Sequence, residues 1–424
     1  MSDIIEQFGA RIGHESVEHP AQSRRLLLAG LRAFGLKLRY RPDPRLPESR
    51  QEIAVLLNRA VVSTLAHPET AALTSVFLPC EQLHVMGIRP MCAELFSAFL
   101  NGCCAERSFA EAAESAGIAE TYCSYHKILL GSAFTGLMPK PRFIVNTSLV
   151  CDANNLTFRT LSELYGIEQF YVDVPPRRDE ASLSYVADQL WELTGFLEDQ
   201  TGKKLEEEKL RQAMVLSKAA IDNFRSAIPL RRDHFFPGDI TSEMYEIYAT
   251  HNALGTKAAE HYSSQLLSDL AAAPAPRGLR ILWLHTIPNW QAPVRDAFNF
   301  TDRAQIITCD MNFESLVDID PDKPYESMAR RLVGSTFNGG GETRIAAALD
   351  MAKAVRADGI VCFCHWGCKQ TMGLSARFKQ ELEADGFPTL ILSGDGCDRA
   401  NSSDGQVATR LNAFLEMLEG RGHA

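Results

Sequence analysis

Apolar residues change their spacing several times along the chain, and each change marks a different kind of segment. Over residues 1–70 they recur at helical intervals, in Ser23–Phe34 and again in Glu52–Val62. The proline-rich stretch Arg41–Pro47 reads as a connector between them. Short apolar runs then alternate with helical stripes. Thr74–Leu78 is a strand candidate broken by Pro79, Met91–Leu100 reads as a helix, and a further helix opens at Cys123. Phe143–Val145 is a strand, Phe158–Tyr165 a helix, and Gln169–Val174 a strand ended by Pro175 and Pro176.

Residues 180–275 read as charged helices. Val186, Leu190, Leu193, Phe196 and Leu197 form one apolar stripe within Leu183–Asp199, and Lys203–Arg225 carries another. The run Glu206–Lys209 is a solvated face, and Ala271–Gly278 is a linker. Strand patterns then return in Leu279–His285, Ala304–Asp310, the stretch around Ile360, Val361 and Phe363, and Phe387–Ser393. A helix is expected over Arg344–Val355. A last one, opened by a capping box at Ser403–Gln406, buries Val407, Leu411, Phe414 and Leu418.

Alternation of strands and helices implies parallel sheets. The fold class expected is α/β, with two Rossmann-like or flavodoxin-like parallel-sheet domains plus helical N-terminal and linker segments. The expected boundaries are 1–70 for the helical segment, 71–180 for the first α/β domain, 181–275 for a helical connector and 276–424 for the second α/β domain.

Apolar content of 46% and charged content of 23% are those of an ordinary globular protein. A formal net charge of −10 with no long basic run argues against nucleic-acid binding. No basic region followed by an apolar one opens the chain, and no uncharged apolar run reaches the ~18 residues of a membrane span. A cytosolic protein with no membrane partner is expected. Gly339–Gly341 is not followed by Lys-Ser or Lys-Thr, and no Gly-x-Gly-x-x-Gly follows a strand, so neither a P-loop nor a dinucleotide fingerprint is present.

The eleven cysteines carry most of the chemistry. In a reducing compartment they are not a disulfide framework, so metal or redox use competes with plain burial. Cys362 and Cys364 read as small apolar strand residues, Cys92 as packing, and the adjacent Cys103 and Cys104 as structural. Cys151, Cys309, Cys368 and Cys397 instead lie just beyond strand ends, and Cys123 sits at a helix start. Loops at carboxyl strand ends meet helix N-termini, which favour anions and hence thiolates. Several thiolates without paired histidine spacing suit an iron–sulfur cluster better than a Cys₂His₂ zinc site. Such a cluster would lie between the two α/β domains.

Five motifs in order resemble the iron–sulfur component of 2-hydroxyacyl-CoA dehydratases, a family that includes benzoyl-CoA reductase subunits and double-cubane cluster proteins. They are Pro79–Gly87, Cys123–Lys127, Thr147–Asp152, His365–Lys369 and the tail from Gly394–Asp398 to Leu418. The resemblance implies that Cys123, Cys151 and Cys368 ligate a [4Fe–4S] cluster, single or bridged as a double cubane in a dimer, with one iron left open. It places Glu81 near the active site. Val76 stands where the family often has a cysteine and Cys80 follows the proline instead, so the role of Cys80 stays open, and no proton donor is named.

The implied reaction is reductive. An ATP-hydrolysing activator passes one low-potential electron to the cluster, the thioester carbonyl becomes a ketyl radical that expels the 2-hydroxyl, a β-proton is removed, and the electron returns after each turnover. Homodimer, heterodimer with a homologous subunit, acyl-CoA or another small-molecule substrate all remain open. The alternatives are a double-cubane ATP-dependent reductase, a benzoyl-CoA reductase-like subunit, and a non-catalytic scaffold.

Overall fold

A computed structural model describes residues 2–421. The chain opens with three helices, α1 (Ser2–Glu18), α2 (Pro20–Tyr40) and α3 (Glu48–Ala66). A first parallel sheet comes next, interleaved with helices: β1 (Ala71–Thr74), α4 (Glu81–Val85), β2 (Arg89–Cys92), α5 (Ala93–Gly102), α6 (Glu106–Ser115), α7 (Ser124–Phe134), β3 (Phe143–Thr147), α8 (Asp152–Tyr165) and β4 (Gln169–Val172). Four helices connect the halves: α9 (Glu180–Thr201), α10 (Glu207–Asp233), α11 (Ile240–Thr250) and α12 (Lys257–Ala272). The second sheet comprises β5 (Leu279–Leu284), α13 (Ala292–Phe298), β6 (Ala304–Cys309), α14 (Pro324–Val333), α15 (Gly341–Ala354), β7 (Gly359–His365), α16 (Lys369–Met372), α17 (Ser375–Ala384), β8 (Thr389–Gly394) and α18 (Asp404–Arg421).

Both sheets are wholly parallel and share one plan. Their orders are β2-β1-β3-β4 and β6-β5-β7-β8, so in each the first strand lies between the second and the third. The chain therefore leaves in opposite directions from β1 and β3, and likewise from β5 and β7. A crevice opens at the carboxyl ends of such a pair. Central strands covered on both faces must be apolar throughout. All of β3 and β7 is buried accordingly. The α/β architecture read from the sequence is the one observed. One apolar core runs through both halves, joining Ile144 and Val145 of β3 to Trp283 of β5 and Phe363 of β7, and a second, smaller one gathers Leu282, Leu284, Ile360 and Phe378 in the second half.

Local corrections concern the first sheet. Thr74–Leu78 is not a strand: β1 ends at Thr74, and the chain turns at once. Beyond Thr74 the backbone groups are taken by side chains instead of a ladder, with the Val76 N–H donated to Glu94 Oε2 at 3.1 Å and the Ser75 carbonyl accepting from Asn252 Nδ2 at 3.1 Å. Met91 and Cys92 belong to β2, and the helix begins only at Ala93. Proline is tolerated in such a strand because β2 is an edge, paired on one side only.

Buried charge ties the helical segments together. Arg50 of α3 and Arg231 of α10 meet Glu243 and Glu246 of α11, with Arg231 Nη2 2.6 Å from Glu246 Oε2 and Tyr262 of α12 donating to that oxygen at 3.2 Å. All four charged groups are buried. Removing one partner leaves an uncompensated buried charge. Arg231→Met is expected to lower stability by about 3–5 kcal/mol, read as a fall in the urea midpoint. Adding Glu246→Leu is expected to recover part of that loss.

Candidate active site

Every strand end except that of β4 delivers a residue to one cavity between the sheets. Val76 and Phe77 follow β1, Cys92 and Glu94 close or follow β2, and Val150 and Cys151 follow β3. His285 and Thr286 follow β5, Met311 follows β6, His365 ends β7 just before Cys368, and Gly396 follows β8. Tyr245 and Tyr248 of α11 and Leu57 of α3 close the wall. About 1110 Å³ inside is free of protein atoms, part of it open to solvent.

Cys123, Cys151 and Cys368 all face this cavity, each immediately before a helix. Their loops are fastened to one another. Gly367, at φ +80°, lies against Cys123, and a Cβ there would come within 2.7 Å of the Cys123 nitrogen. Gln370 Nε2 donates to the Val150 carbonyl at 2.8 Å, joining the helix after Cys368 to the loop before Cys151. Lys369 reaches Asp152 at 2.8 Å on the outside.

Burial raises all three thiols: Cys123 well above the usual range, with Cys151 and Cys368 adding to the effect, and Cys151 to about 12. The Cys368 thiol is raised for the same first reason. Alone, these thiols stay protonated, and a bound metal centre would supply the positive charge that a thiolate needs. Among the described residues no three His, Cys, Asp or Glu side chains are gathered to hold one ion. A cubane does not ask for that, because each of its ligand thiolates binds a different iron. Three soft donors at helix N-termini around a mostly apolar chamber fit such a cluster.

Of the other cysteines, Cys92 also lines the cavity, beside Glu94, and the rest do not. Cys309 and Cys397 are buried outside the cavity wall, Cys309 near Glu243 and Cys397 behind the Gly396 turn. Their strand ends point to the site, but their side chains do not join it. Cys80 is buried against Asn252 and the Leu78 carbonyl, and Cys364 packs beneath Thr371.

Glu81 also lies outside the cavity wall. It is fully buried, with Oε1 accepting from Ser217 Oγ and from Arg331 Nη1, both at 2.8 Å, so it locks α4 to α10 and α14. The carboxylate in the cavity is Glu94, which the sequence pattern does not single out. Burial lifts it to about 7. Its Oε2 accepts from Val76 N–H, Cys92 Sγ lies 3.5 Å away, and His126 Nε2 is 3.9 Å from Oε1. His126 itself is held neutral, lowered to about 3 by burial and by His365. Because the folded pKa of Glu94 exceeds its ordinary 4.5, its contribution to stability is full below that value and is lost as pH rises through 7.

The apolar pattern makes His285 the last residue of a strand. It lies instead just past β5 at φ +76°, a costly conformation for a residue with a side chain. Asp310 holds it there: its Oδ1 accepts the His285 N–H at 2.6 Å while Oδ2 pairs with Arg344 at 2.7 Å. Both His285 ring nitrogens lack a protein partner, and burial with Arg344 and His365 nearby keeps the ring neutral. Position relative to the strand ends is the signal that could have found Glu94 and His285. Glu94 stands two residues past Cys92, and His285 directly after Leu284.

Residues 75–418 match the family of the 2-hydroxyglutaryl-CoA dehydratase D-component. The chain belongs to this family. Two curated relatives agree with it. One is the (R)-phenyllactyl-CoA dehydratase alpha subunit of Clostridium sporogenes, 20% identical over 367 residues, or 82% of this chain and 89% of that protein. The other is the alpha subunit of (R)-2-hydroxyglutaryl-CoA dehydratase from Acidaminococcus fermentans, 19% identical across 66% of this chain and 61% of its own length. As a member of the 2-hydroxyacyl-CoA dehydratase-type components, the chain has no described helix long and apolar enough to cross a membrane.

The two acidic residues are separable by experiment. Glu81→Gln leaves Arg331 buried with its charge poorly matched, and a loss of about 3–5 kcal/mol is expected in urea unfolding. Glu94→Gln, at a site already disfavouring charge, should unfold at a midpoint near that of the unaltered protein. Equal losses in both would contradict the structural assignment of Glu81.

Proposed function

We propose that this chain is the cluster-bearing component of a dehydratase-type lyase acting on a 2-hydroxyacyl-CoA thioester. The observation that carries this reading is the meeting of Cys123, Cys151 and Cys368 at one cavity built from the strand ends of both sheets. When bound there, a [4Fe–4S] cluster supplies a low-potential electron and an iron with an open coordination position. The reading includes an ATP-hydrolysing activator as electron source. Since both relatives are named as alpha subunits, it also includes a second, homologous subunit.

The chain's own residues shape the rest. Phe77, Met244, Tyr248, Met311 and Phe337 make the wall apolar and exclude water from the reacting centre. Arg344 is already paired with Asp310, so this wall offers its cation to no second carboxylate of a substrate. A hydrophobic acyl group is therefore the favoured occupant, and His285 can donate one ring N–H to an oxygen of it. Glu94, titrating near neutrality, is the group suited to take a proton from the β-carbon, next to the carbon that loses its hydroxyl.

Anaerobic purification with iron and sulfide quantitation tests the cluster directly. About four irons per chain are expected, with loss of most of them in Cys368→Ser. Folded, iron-free protein would sink the proposal. For Glu94 acting as base, turnover is expected to rise with pH through about 7. Glu94→Gln is expected to lose roughly 10²–10⁴-fold in rate with the cluster spectrum unchanged. Under those conditions an apolar acyl substrate should outpace one carrying a second carboxylate.

A further inference from the structure

His365 ends β7 and faces Cys123 from the opposite half of the molecule, and its ring is buried. Two contacts fix where its hydrogen sits. The Gly396 N–H can only donate, and it points at Nδ1 from 3.0 Å, so Nδ1 presents a lone pair. The ring hydrogen is then on Nε2, which lies 3.3 Å from Cys123 Sγ. Sulfur must accept.

The turn that imposes this arrangement is itself tied to the cysteine. Asp395 Oδ1 accepts from the N–H groups of Cys397 and Asp398 at 2.8 and 2.9 Å, which shapes the turn presenting Gly396. The same oxygen accepts from Ser124 Oγ at 2.5 Å, one residue beyond Cys123. Tyr125, next in line, sets its ring edge-on to His365 at 5.4 Å. One carboxylate thus registers both the histidine and the helix that starts after Cys123.

We propose that His365 is a positioning residue that tunes the cluster through an Nε2–H···Sγ bond to Cys123, making the cluster easier to reduce. The inference rests on the reading of Cys123 as a cluster ligand. An added electron raises the negative charge on the ligand sulfurs, and a hydrogen bond to sulfur stabilises that charged state most. Because both Cys123 and His365 are buried, the bond is worth more than it would be in solvent.

The test uses the full chain, loaded anaerobically and labelled with ¹⁵N-histidine. In the reduced protein, pulsed electron paramagnetic resonance in H₂O and D₂O should reveal a ¹⁵N coupling and one exchangeable proton near a ligand sulfur. Both should vanish in His365→Leu. The reduced-to-oxidised ratio at a fixed potential should fall about tenfold in that variant, equivalent to about 59 mV for one electron. His365→Gln, which restores a donor, should recover most of the shift. A loaded His365→Leu protein with an unchanged potential would overturn the tuning role and leave the cluster reading intact. So would loaded native protein without a histidine coupling, a result that needs no variant to fold. Native protein that takes up no iron would instead overturn the cluster reading itself.

Discussion

The close approach between the His365–Cys368 turn and the Cys123 backbone is the constraint on which the site depends. The two segments belong to different halves of the molecule, and 242 positions separate Cys123 from His365. Gly367 allows the approach because it has no side chain and accepts φ +80°. Gln370 on Val150 and Asp395 on Ser124 then hold the neighbouring loops in place. With those three attachments, the thiols of both halves face one chamber, and none of the loops is free to drift from the others.

Charge is managed in this chamber by neutrality. The thiols are raised by burial, His126 and His285 are lowered by it, and Arg344 is answered by Asp310. Such surroundings disfavour any isolated ion and strengthen the interactions of whatever charge is brought in with partners. Glu94 is the exception that remains near the point of ionisation, at about 7. A site of this kind suits chemistry in which charge arrives and leaves during turnover. Two other buried sets of ion pairs, Glu81 with Arg331 and the Arg50, Arg231, Glu243 and Glu246 group, lie in the surrounding core and serve the packing of helices.

The shared strand order of the two sheets explains why chemistry gathers where it does. Each half places its first and third strands side by side at its centre, so each has a crevice at their carboxyl ends. The sheets present these crevices to each other. Residues that close a strand or follow it within a few positions reach the chamber, among them Cys92, His365, Cys151 and Cys368, whereas Cys309, the last residue of β6, stays in the core near Glu243.

Most strands were legible from sequence because a parallel strand buried on both faces must be a short apolar run, as in β3 and β7. The edge strand β2 was not, because its Pro90 and its continuation into the Ala93 helix imitate a helical segment. Cys123, Cys151 and Cys368 could be singled out because strand exits and helix starts are marked by local pattern. The local sequence also placed Cys123 and Cys368 at helix starts, whereas the helix after Cys151 begins at Asp152, earlier than the Phe158 that the apolar pattern marks. Which strand ends face each other is decided by long-range packing, for which a single sequence carries no periodic signal. Only the tertiary structure could therefore send Glu81 into a buried pair with Arg331, bring Glu94 to the chamber, and set the Nε2 of His365 against the sulfur of Cys123.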